Sequence, residues 1–518
     1  MIVTDPVCIT PLDFASPGAY LTTKSLEADK ASVEIRSLVS NGLPASANVT
    51  VECEITDAGG KSVGKISTNE TVESRATKTA TGLITLSFPH PWNGRNDPYL
   101  YTATIRVLRD QKVVDEITQA LGLRTLAYSK TDGILLNGVP YPIHGVNRHQ
   151  DLRDKGWAMS PEDEERDVRI ISDMGVTAIR LSHYPQSEHL HNLCDREGLM
   201  LWNEVPLVSS IGIRDTPEFS ANAELQAREM VLQHYNSPAA TFWGLFNELD
   251  IQKAPPPDAL LTHLKAVIQE LDPTRIDVAA TAHPGRTFNT IPTAICFNTY
   301  PGWYKGNPND MAKFISDRFE EMGERICISE FGGGANTDQH QEGSLDKVNP
   351  KGPFHPEEWQ SYIHERIWKT MQNNQKLWGC FIWVMFDLPS AGRDEGGQTG
   401  LNDKGLVTQD RATKKDAYFF YKANWNLQPM VYIASRRSTP RKVAVTEVKA
   451  YSNSAEVELI VNGQSLGKTK PDAVKIAHWE NVLLLPGNNH IEVIGSSSTE
   501  KPTDSCDWVL EASSAPAP

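Results

Sequence analysis

The sequence TFWGLFNE at residues 241–248 and the sequence RICISE at residues 325–330 each carry an apolar run that ends on a glutamate, Glu248 and Glu330. A short run that is apolar at every position is typical of a strand buried on both faces. An ionised carboxylate is costly there unless it emerges at the strand's end. Taken alone, either glutamate is explained as a structural residue that pairs with an arginine. Two of them on two strands of one sheet favour a catalytic pair.

The region around these two runs, residues 126–430, alternates short apolar runs with longer amphipathic segments. The strand candidates, in order, are IHGVNR, TAIRLSH, LMLWNEV, TFWGLFNE, IDVAAT, AICFNTY, RICISEF and GCFIWVMF. A helical pattern follows each of them except the fifth, which has a short connection. Eight such units predict a (β/α)8 barrel, in which active-site groups lie at the carboxyl ends of the strands.

The sequence on either side of the barrel alternates apolar and polar residues, as strands with one buried face do. Residues 1–125 contain ASVEIRSLV and ANVTVECEIT, and residues 431–518 contain AEVELIVNGQSLG, in which VNGQ indicates a two-residue hairpin. We therefore predict a multidomain chain with a central (β/α)8 TIM barrel, flanked by two immunoglobulin-like β-sandwiches. The final SSAPAP is expected to be disordered.

Composition excludes several classes of function. The formal net charge of −15 argues against a nucleic-acid partner, since phosphate contacts need a basic face. No apolar stretch approaches the roughly 20 residues that a membrane helix requires. The opening MIVTDPVCIT lacks a basic segment followed by an apolar one, which predicts a cytoplasmic location.

Cofactor motifs are absent from the sequence as well. The 7 cysteines have no C-x-x-C spacing, so neither a zinc site nor a disulfide framework is indicated. No P-loop or dinucleotide-binding pattern occurs either, and we predict no cofactor. Either a monomer or a homo-oligomer is compatible with the acidic composition.

Polar and aromatic residues follow most of the other predicted barrel strands. They are Asn147, Arg148, His149, Arg180, His183, Asn203, Glu204, Asn247, Asn298, Tyr300, Trp383 and Asp387. Sugar hydroxyls need polar partners, and the apolar face of a sugar ring needs an aromatic platform. The set therefore suits a small carbohydrate substrate, and we expect Trp383 and Trp303 to contact it.

Six ordered motifs carry a resemblance to a known family. They are GVNRHQD, RLSHYPQSEHLHNLCDREGLMLWNEVPL, FWGLFNELD, FNTYPGWY, ISEFGGGA and GLNDKGLVTQDRATKKDAYFFYKANW. Together they resemble glycoside hydrolase family 2, which contains β-galactosidases and β-glucuronidases. The resemblance covers the barrel and both sandwiches.

This resemblance implies a role for each matched residue. Glu248 takes the place of the general acid/base and Glu330 that of the nucleophile, in a double displacement that retains the anomeric configuration. Tyr300 would lie beside the nucleophile and Arg180 would orient it. Asn247 would bind the sugar 2-hydroxyl. The remaining matched positions, which line the sugar subsite, are His149, His183 and Trp383.

The sequence departs from the family pattern in two places. In the full family architecture a jelly-roll domain precedes the first sandwich, and this chain begins at what resembles the linker after that domain, so we expect a more open subsite and weaker activity. Some large β-galactosidases hold magnesium through residues after strand three. The stretch NEVPLVSS at residues 203–210 has no histidine or second carboxylate at the matching spacing, which predicts no metal there.

The identity of the sugar depends on a loop near the end of the barrel. Asn402 and Lys404 resemble the Asn-x-Lys motif that binds the glucuronate carboxylate, for which a lysine is a suitable partner. The surrounding GRDEGGQTGLNDKGLVTQDR, residues 392–411, resembles bacterial β-galactosidases more closely. The motifs thus favour a β-galactosidase, with a β-glucuronidase as the alternative. A carbohydrate-binding protein without turnover is the non-enzymatic alternative.

Overall fold

The N-terminal part of the chain is a β-sandwich in the computed structural model, which describes residues 2–208, 216–249, 257–496 and 501–511. The strands are β1 Val7–Ile9, β2 Ala19–Leu26, β3 Lys30–Asn41, β4 Ala47–Thr56, β5 Ser62–Val72, β6 Thr77–Ser87, β7 Tyr101–Arg109 and β8 Lys112–Leu121. One sheet contains β1, β3, β2 and β6, and the other has the order β5-β4-β7-β8. The alternating burial of β3 and β4 confirms the period-two pattern that predicted them.

A small antiparallel sheet follows the sandwich and leads into the barrel. It contains β9 Leu126–Ser129, β10 Gly133–Leu136 and β11 Val139–Pro140. The next eight strands form a closed barrel in chain order, which confirms the predicted fold class. They are β12 Ile143–Arg148, β13 Ala178–Leu181, β14 Met200–Glu204, β15 Ala240–Asn247, β16 Ile276–Thr281, β17 Ala294–Asn298, β18 Ile326–Glu330 and β19 Leu377–Ile382.

Seven helices lie within the described parts of the barrel region and of the segment that follows it. They are α1 Pro161–Met174, α2 Glu188–Glu197, α3 Pro217–Gln233, α4 Asp258–Leu271, α5 Met311–Met322, α6 Glu357–Met371 and α7 Asp416–Trp425. Helix α1 begins with a capping box at Ser160 and ends at Gly175, whose φ of 91° requires glycine. A turn in which Arg411 has a φ of 64° precedes helix α7. Among the described residues, no helix has the length and apolar character needed to span a membrane.

The C-terminal part of the chain contains a hairpin and a second sandwich. The strands are β20 Leu388–Glu395, β21 Gln398–Asn402, β22 Val431–Ile433, β23 Val445–Ser452, β24 Val457–Val461, β25 Gln464–Thr469, β26 Ile476–Leu483, β27 Gly487–Gly495 and β28 Thr503–Leu510. Trp508, Leu459 and Val493 lie in the core of the sandwich. Residues 512–518, which include the tail predicted to be disordered, lie outside the described residues.

The chain divides into two compact units, residues 1–143 with 177–297 and residues 144–176 with 298–518. In the first unit, the Arg124 guanidinium donates to the carbonyl oxygen of Ala240 at 2.7 Å, which ties the N-terminal sandwich to the start of β15. In the second unit, Arg437 donates to the Asp416 carboxylate at 2.8 Å and also pairs with Glu357. These contacts join the C-terminal sandwich to helices α6 and α7.

Candidate active site

Glu248 directly follows β15, at the carboxyl end of the fourth barrel strand. Its backbone has a φ of 48°, in the left-handed region that residues other than glycine rarely adopt. The Glu248 N–H donates to the carbonyl oxygen of Ala280 at 2.9 Å, so the next strand holds this conformation. A backbone of this kind costs about 1–3 kcal/mol and is concentrated at functional sites.

A buried polar network lies beside Glu248 in the same unit. Arg180, at 0% exposure, donates from Nε to Oε1 of Glu204 at 2.6 Å and from Nη2 to Oδ1 of Asn247 at 2.8 Å. The Nδ1 atom of His183 lies 2.8 Å from Oε2 of Glu204. The ends of the second, third and fourth barrel strands thus come together through three of the predicted residues and Glu204.

The charge balance of this network is set by Glu204. Burial raises the pKa of its carboxyl, but the positive charge of Arg180 and the neighbouring His183 outweigh burial and hold the pKa below its ordinary value. Glu204 is therefore an anion that pairs with Arg180. Its position at the end of β14 was visible in the sequence, but no role was assigned to it there.

Glu330 ends β18 and is 5% exposed. The Tyr300 hydroxyl donates to Oε2 of Glu330 at 2.6 Å, in agreement with the predicted place of Tyr300 beside this carboxylate. The Thr299 N–H donates to the Glu330 carbonyl oxygen at 2.9 Å and fixes the backbone of the same residue. A short bond from a phenol to a carboxylate stabilises the anionic form.

Two tryptophans of the second unit, Trp383 and Trp303, were expected to contact sugar, and their surroundings differ. Trp383 directly follows β19, and its ring packs edge-on against His149 with the centroids 5.4 Å apart. Trp303 was expected to contact sugar, and that expectation is wrong because its side chain is 0% exposed. Its ring instead packs against His355, with the centroids 4.8 Å apart. A short loop after Tyr300 made Trp303 look accessible, whereas the packing of a distant histidine buries it.

The loop that carries Asn402 and Lys404 is buried. Lys404 is 1% exposed, and within the described part of the chain its Nζ atom has no hydrogen-bond partner. Nζ lies 5.2 Å from the centroid of the Tyr304 ring and 5.5 Å from that of Trp303. Removing an ammonium from water costs several kcal/mol when no partner replaces the water. A buried lysine in this state is ready to accept an anion.

Two further residues, Tyr304 and Arg393, belong to the surroundings of Lys404, and neither was predicted from the sequence to bind a sugar carboxylate. Arg393 donates from Nη2 to the Tyr304 hydroxyl at 3.5 Å and pairs with Glu395. Burial raises the pKa of the Tyr304 phenol, but Lys404 and Arg393 outweigh burial and lower it below its ordinary value. Tyr304 follows Tyr300 by one helical turn in the motif FNTYPGWY, which is the signal that could have identified it.

The structure therefore assembles predicted site residues in four groups, two of which are His149 with Trp383 and Asn402 with Lys404. Arg180, His183 and Asn247 share one network, and Tyr300 and Glu330 share another. Glu248 and Glu330 fall in different compact units, and the separation of about 5–5.5 Å that a retaining pair requires stays a prediction. Of the stretch predicted to lack metal ligands, residues 209 and 210 lie outside the described residues.

Family comparisons cover most of the chain. Residues 129–428 match the model for glycosyl hydrolases family 2, TIM barrel domain, and residues 18–124 match the model for glycosyl hydrolases family 2. Residues 444–502 match a domain of unknown function. More than half of the chain thus matches a single family.

Individual relatives agree with the family models. The chain is 40% identical over 500 residues to a β-glucuronidase of Bacteroides fragilis, covering 95% of this chain and 71% of that protein. A crystal structure from Bacteroides fragilis, described provisionally as a β-galactosidase, superimposes with a TM-score of 0.93 and 33% identity, covering 98% of this chain and 75% of that one. A β-glucuronidase of Bacteroides uniformis superimposes with a TM-score of 0.89 and 28% identity, covering 98% and 62%.

Proposed function

Because the chain belongs to glycoside hydrolase family 2, we propose that it is a retaining exo-β-glycosidase whose substrates are β-glucuronides. The motifs alone favoured a β-galactoside. The observation that reverses this preference is the buried Lys404 ammonium, which has no hydrogen-bond partner among the described residues. A neutral galactoside would offer that ammonium no anionic group of its own, whereas the carboxylate of glucuronate would accept hydrogen bonds from it. The similarity to a β-glucuronidase of Bacteroides fragilis supports the same assignment.

The proposed mechanism gives separate roles to two glutamates: Glu248, which directly follows the fourth barrel strand, and Glu330, which ends the seventh. Glu330 attacks the anomeric carbon, and the bond to the leaving oxygen breaks as Glu248 gives that oxygen its proton. Glu248 then takes a proton from water, whose oxygen attacks the anomeric carbon and releases Glu330. Each step inverts the anomeric centre, so the two together retain its configuration.

The polar networks have separate tasks in this mechanism. Tyr300 holds the Glu330 carboxylate through the 2.6 Å bond, so the attacking oxygen is oriented. Arg180 engages Oδ1 of Asn247, which directs the amide N–H groups of Asn247 toward the sugar 2-hydroxyl. Asn402 supports the acid-binding loop, since its Oδ1 accepts from the Lys404 N–H at 3.3 Å. Trp383 and His149, whose rings pack edge-on, are the second unit's residues that we assign to the sugar subsite. His183 keeps the subsite role that the family resemblance implies.

A panel of nitrophenyl glycosides tests the proposal. We expect hydrolysis of the β-glucuronide with a kcat/KM at least about 100-fold above that for the β-galactoside, which corresponds to about 3 kcal/mol of carboxylate binding. A preference for the β-galactoside would support a second candidate function, that of a β-galactosidase. The similarity to the Bacteroides fragilis structure that is described provisionally as a β-galactosidase favours this candidate. Binding without hydrolysis of any glycoside would favour the non-enzymatic alternative.

Two lysine variants identify the residue responsible. Lys404→Met should lower kcat/KM for the glucuronide about 100-fold and change that for the neutral β-glucoside less than threefold. Lys376→Met is the matched control, because Lys376 also lies near an aromatic ring, 5.4 Å from the centroid of Phe319, but directly precedes β19. Equal losses on both substrates in Lys404→Met would refute the role of Lys404 in acid recognition.

A further inference from the structure

A buried lysine, Lys415, hydrogen-bonds the backbone of the Asn402–Lys404 loop. Lys415 is 0% exposed, and its Nζ atom donates to the carbonyl oxygens of Ala335 and Asp403 and to Oδ1 of Asp387, each at 2.8 Å. These three bonds use all three donors of the ammonium. One ammonium group therefore joins the segment after Glu330, the residue that directly precedes β20 and the Asn402–Lys404 loop.

The side chain of Asp403 makes a second attachment. Its Oδ2 atom lies 2.6 Å from Nδ1 of His355, and both side chains are completely buried. Burial raises the pKa of Asp403, but His355, Lys415 and Lys404 outweigh it and lower the pKa below its ordinary value. Asp403 is thus an anion that pairs with His355, whereas Lys404 Nζ makes no hydrogen bond within the described residues.

The His355 ring also fixes the surface on which the Lys404 ammonium lies. Its centroid is 4.8 Å from that of Trp303, at an interplanar angle of 75°. Lys404 Nζ lies 5.5 Å from the centroid of the same indole ring. His355 therefore contacts two residues that border Lys404. One is Asp403, which precedes Lys404 in the chain, and the other is Trp303, whose ring lies beside the ammonium.

We propose that His355 is a positioning residue for acid recognition, which acts through Asp403 and Trp303 to set the place of the Lys404 ammonium. The inference rests on the proposed glucuronidase function. It concerns discrimination between charged and neutral sugars and assigns His355 no part in bond cleavage. A displacement of about 1 Å at a positioned group is enough to lower a rate about 100-fold.

Three variants at this position separate positioning from general support of the fold. His355→Phe keeps a ring for Trp303 and removes the Nδ1 donor. His355→Asn places an amide nitrogen near the position of Nδ1, and His355→Gln places it near that of Nε2. The kinetic constants for nitrophenyl β-glucuronide and its neutral analogue, nitrophenyl β-glucoside, are measured together with Tm.

The matched control is His144→Phe. The pKa of His144 is lowered by burial to about 4, so this residue is neutral, and its ring stacks on Trp425 with the centroids 5.1 Å apart. This control also replaces a packed histidine by phenylalanine. It does so at the beginning of β12 and not in a loop that follows a barrel strand.

We expect His355→Phe and His355→Gln to raise KM for the glucuronide about 30-fold, with kcat/KM for the glucoside within threefold, and His355→Asn to recover most of the loss. Equal losses on both substrates, or a glucuronide KM within threefold of wild type in all three variants, would overturn the inference. If His355→Phe does not fold, the comparison of His355→Asn with His355→Gln tests the inference. A wild-type protein that fails to hydrolyse the glucuronide would instead refute the proposed function.

Discussion

The Tyr300 hydroxyl lies 2.6 Å from Oε2 of Glu330. Tyr300 follows the end of β17 by two residues, and Glu330 ends β18, the next strand in the order of the barrel. The phenol donates to the carboxylate that we propose as the nucleophile. This bond helps to orient the carboxylate for attack. It joins a predicted binding residue to a predicted catalytic residue within the second unit.

Tyr300→Phe removes this bond and keeps the ring that packs against Tyr304. A hydrogen bond to a charged group contributes about 1.5–3 kcal/mol, so we expect kcat/KM to fall by about 10- to 100-fold. Steady-state kinetics on nitrophenyl β-glucuronide measure the change. Tyr362→Phe is the control, since Tyr362 packs on Trp359 in helix α6, outside the proposed site. An unchanged kcat/KM in Tyr300→Phe would show that the bond does not orient the nucleophile.

Glu330→Ala should abolish turnover, because the covalent intermediate cannot form. Azide can occupy the vacated space and attack the anomeric carbon, while Glu248 still protonates the leaving oxygen. The product is then a glycosyl azide of inverted configuration, which NMR identifies. Glu248→Ala should give a glycosyl azide of retained configuration, since azide replaces water in the second step. Turnover by Glu330→Ala without azide would overturn the assignment of the nucleophile.

Lys404→Met should stabilise the protein while it weakens glucuronide hydrolysis. The substitution removes a buried ammonium that has no hydrogen-bond partner in the described structure, and methionine fills a similar volume beside Trp303. We expect a gain of about 1–2 kcal/mol, measured as a higher Tm at pH 7. A lower Tm would indicate that the ammonium is stabilised within the empty site, contrary to the proposed function.

Glu357→Gln tests the polar contact between the C-terminal sandwich and the helices of its unit. Burial, with the negative charge of Asp416, raises the pKa of Glu357 to about 7 although Arg437 opposes the shift. The folded state therefore binds a proton that the unfolded state releases above about pH 4.3, and Glu357 makes stability fall as pH rises from about 4.3 to 7. The variant lacks this dependence.

We expect the Tm of Glu357→Gln to rise relative to that of the wild-type protein between pH 5 and pH 7, and to run parallel to it above pH 8. Thermal denaturation followed by circular dichroism at several pH values measures this difference. Glu197→Gln is the control, because Glu197 is 46% exposed in its pair with Arg95. A difference that stays constant across the pH range would contradict the raised pKa.

Local patterns were sufficient for most of the architecture. All eight predicted strands form the barrel, because a run that is apolar on both faces can be satisfied only inside a sheet covered on both sides. The hairpin at VNGQ was also predicted, and Asn462 and Gly463 have the φ values of 51° and 80° that a two-residue turn of this type requires. The same local logic placed Glu248 and Glu330 at strand ends.

The sequence by itself therefore determined the barrel, its two sandwiches and the strand positions of the two glutamates, since each depends on residues close together in the chain. Only the tertiary structure decided the partners of the site residues. Lys415 reaches Ala335 across 80 residues, and the packing around Lys404 and Trp303 buries both of them. Burial and charge pairing depend on residues that are far apart in the chain. The burial of Lys404 without a hydrogen-bond partner among the described residues changed the expected sugar from a galactoside to a glucuronide.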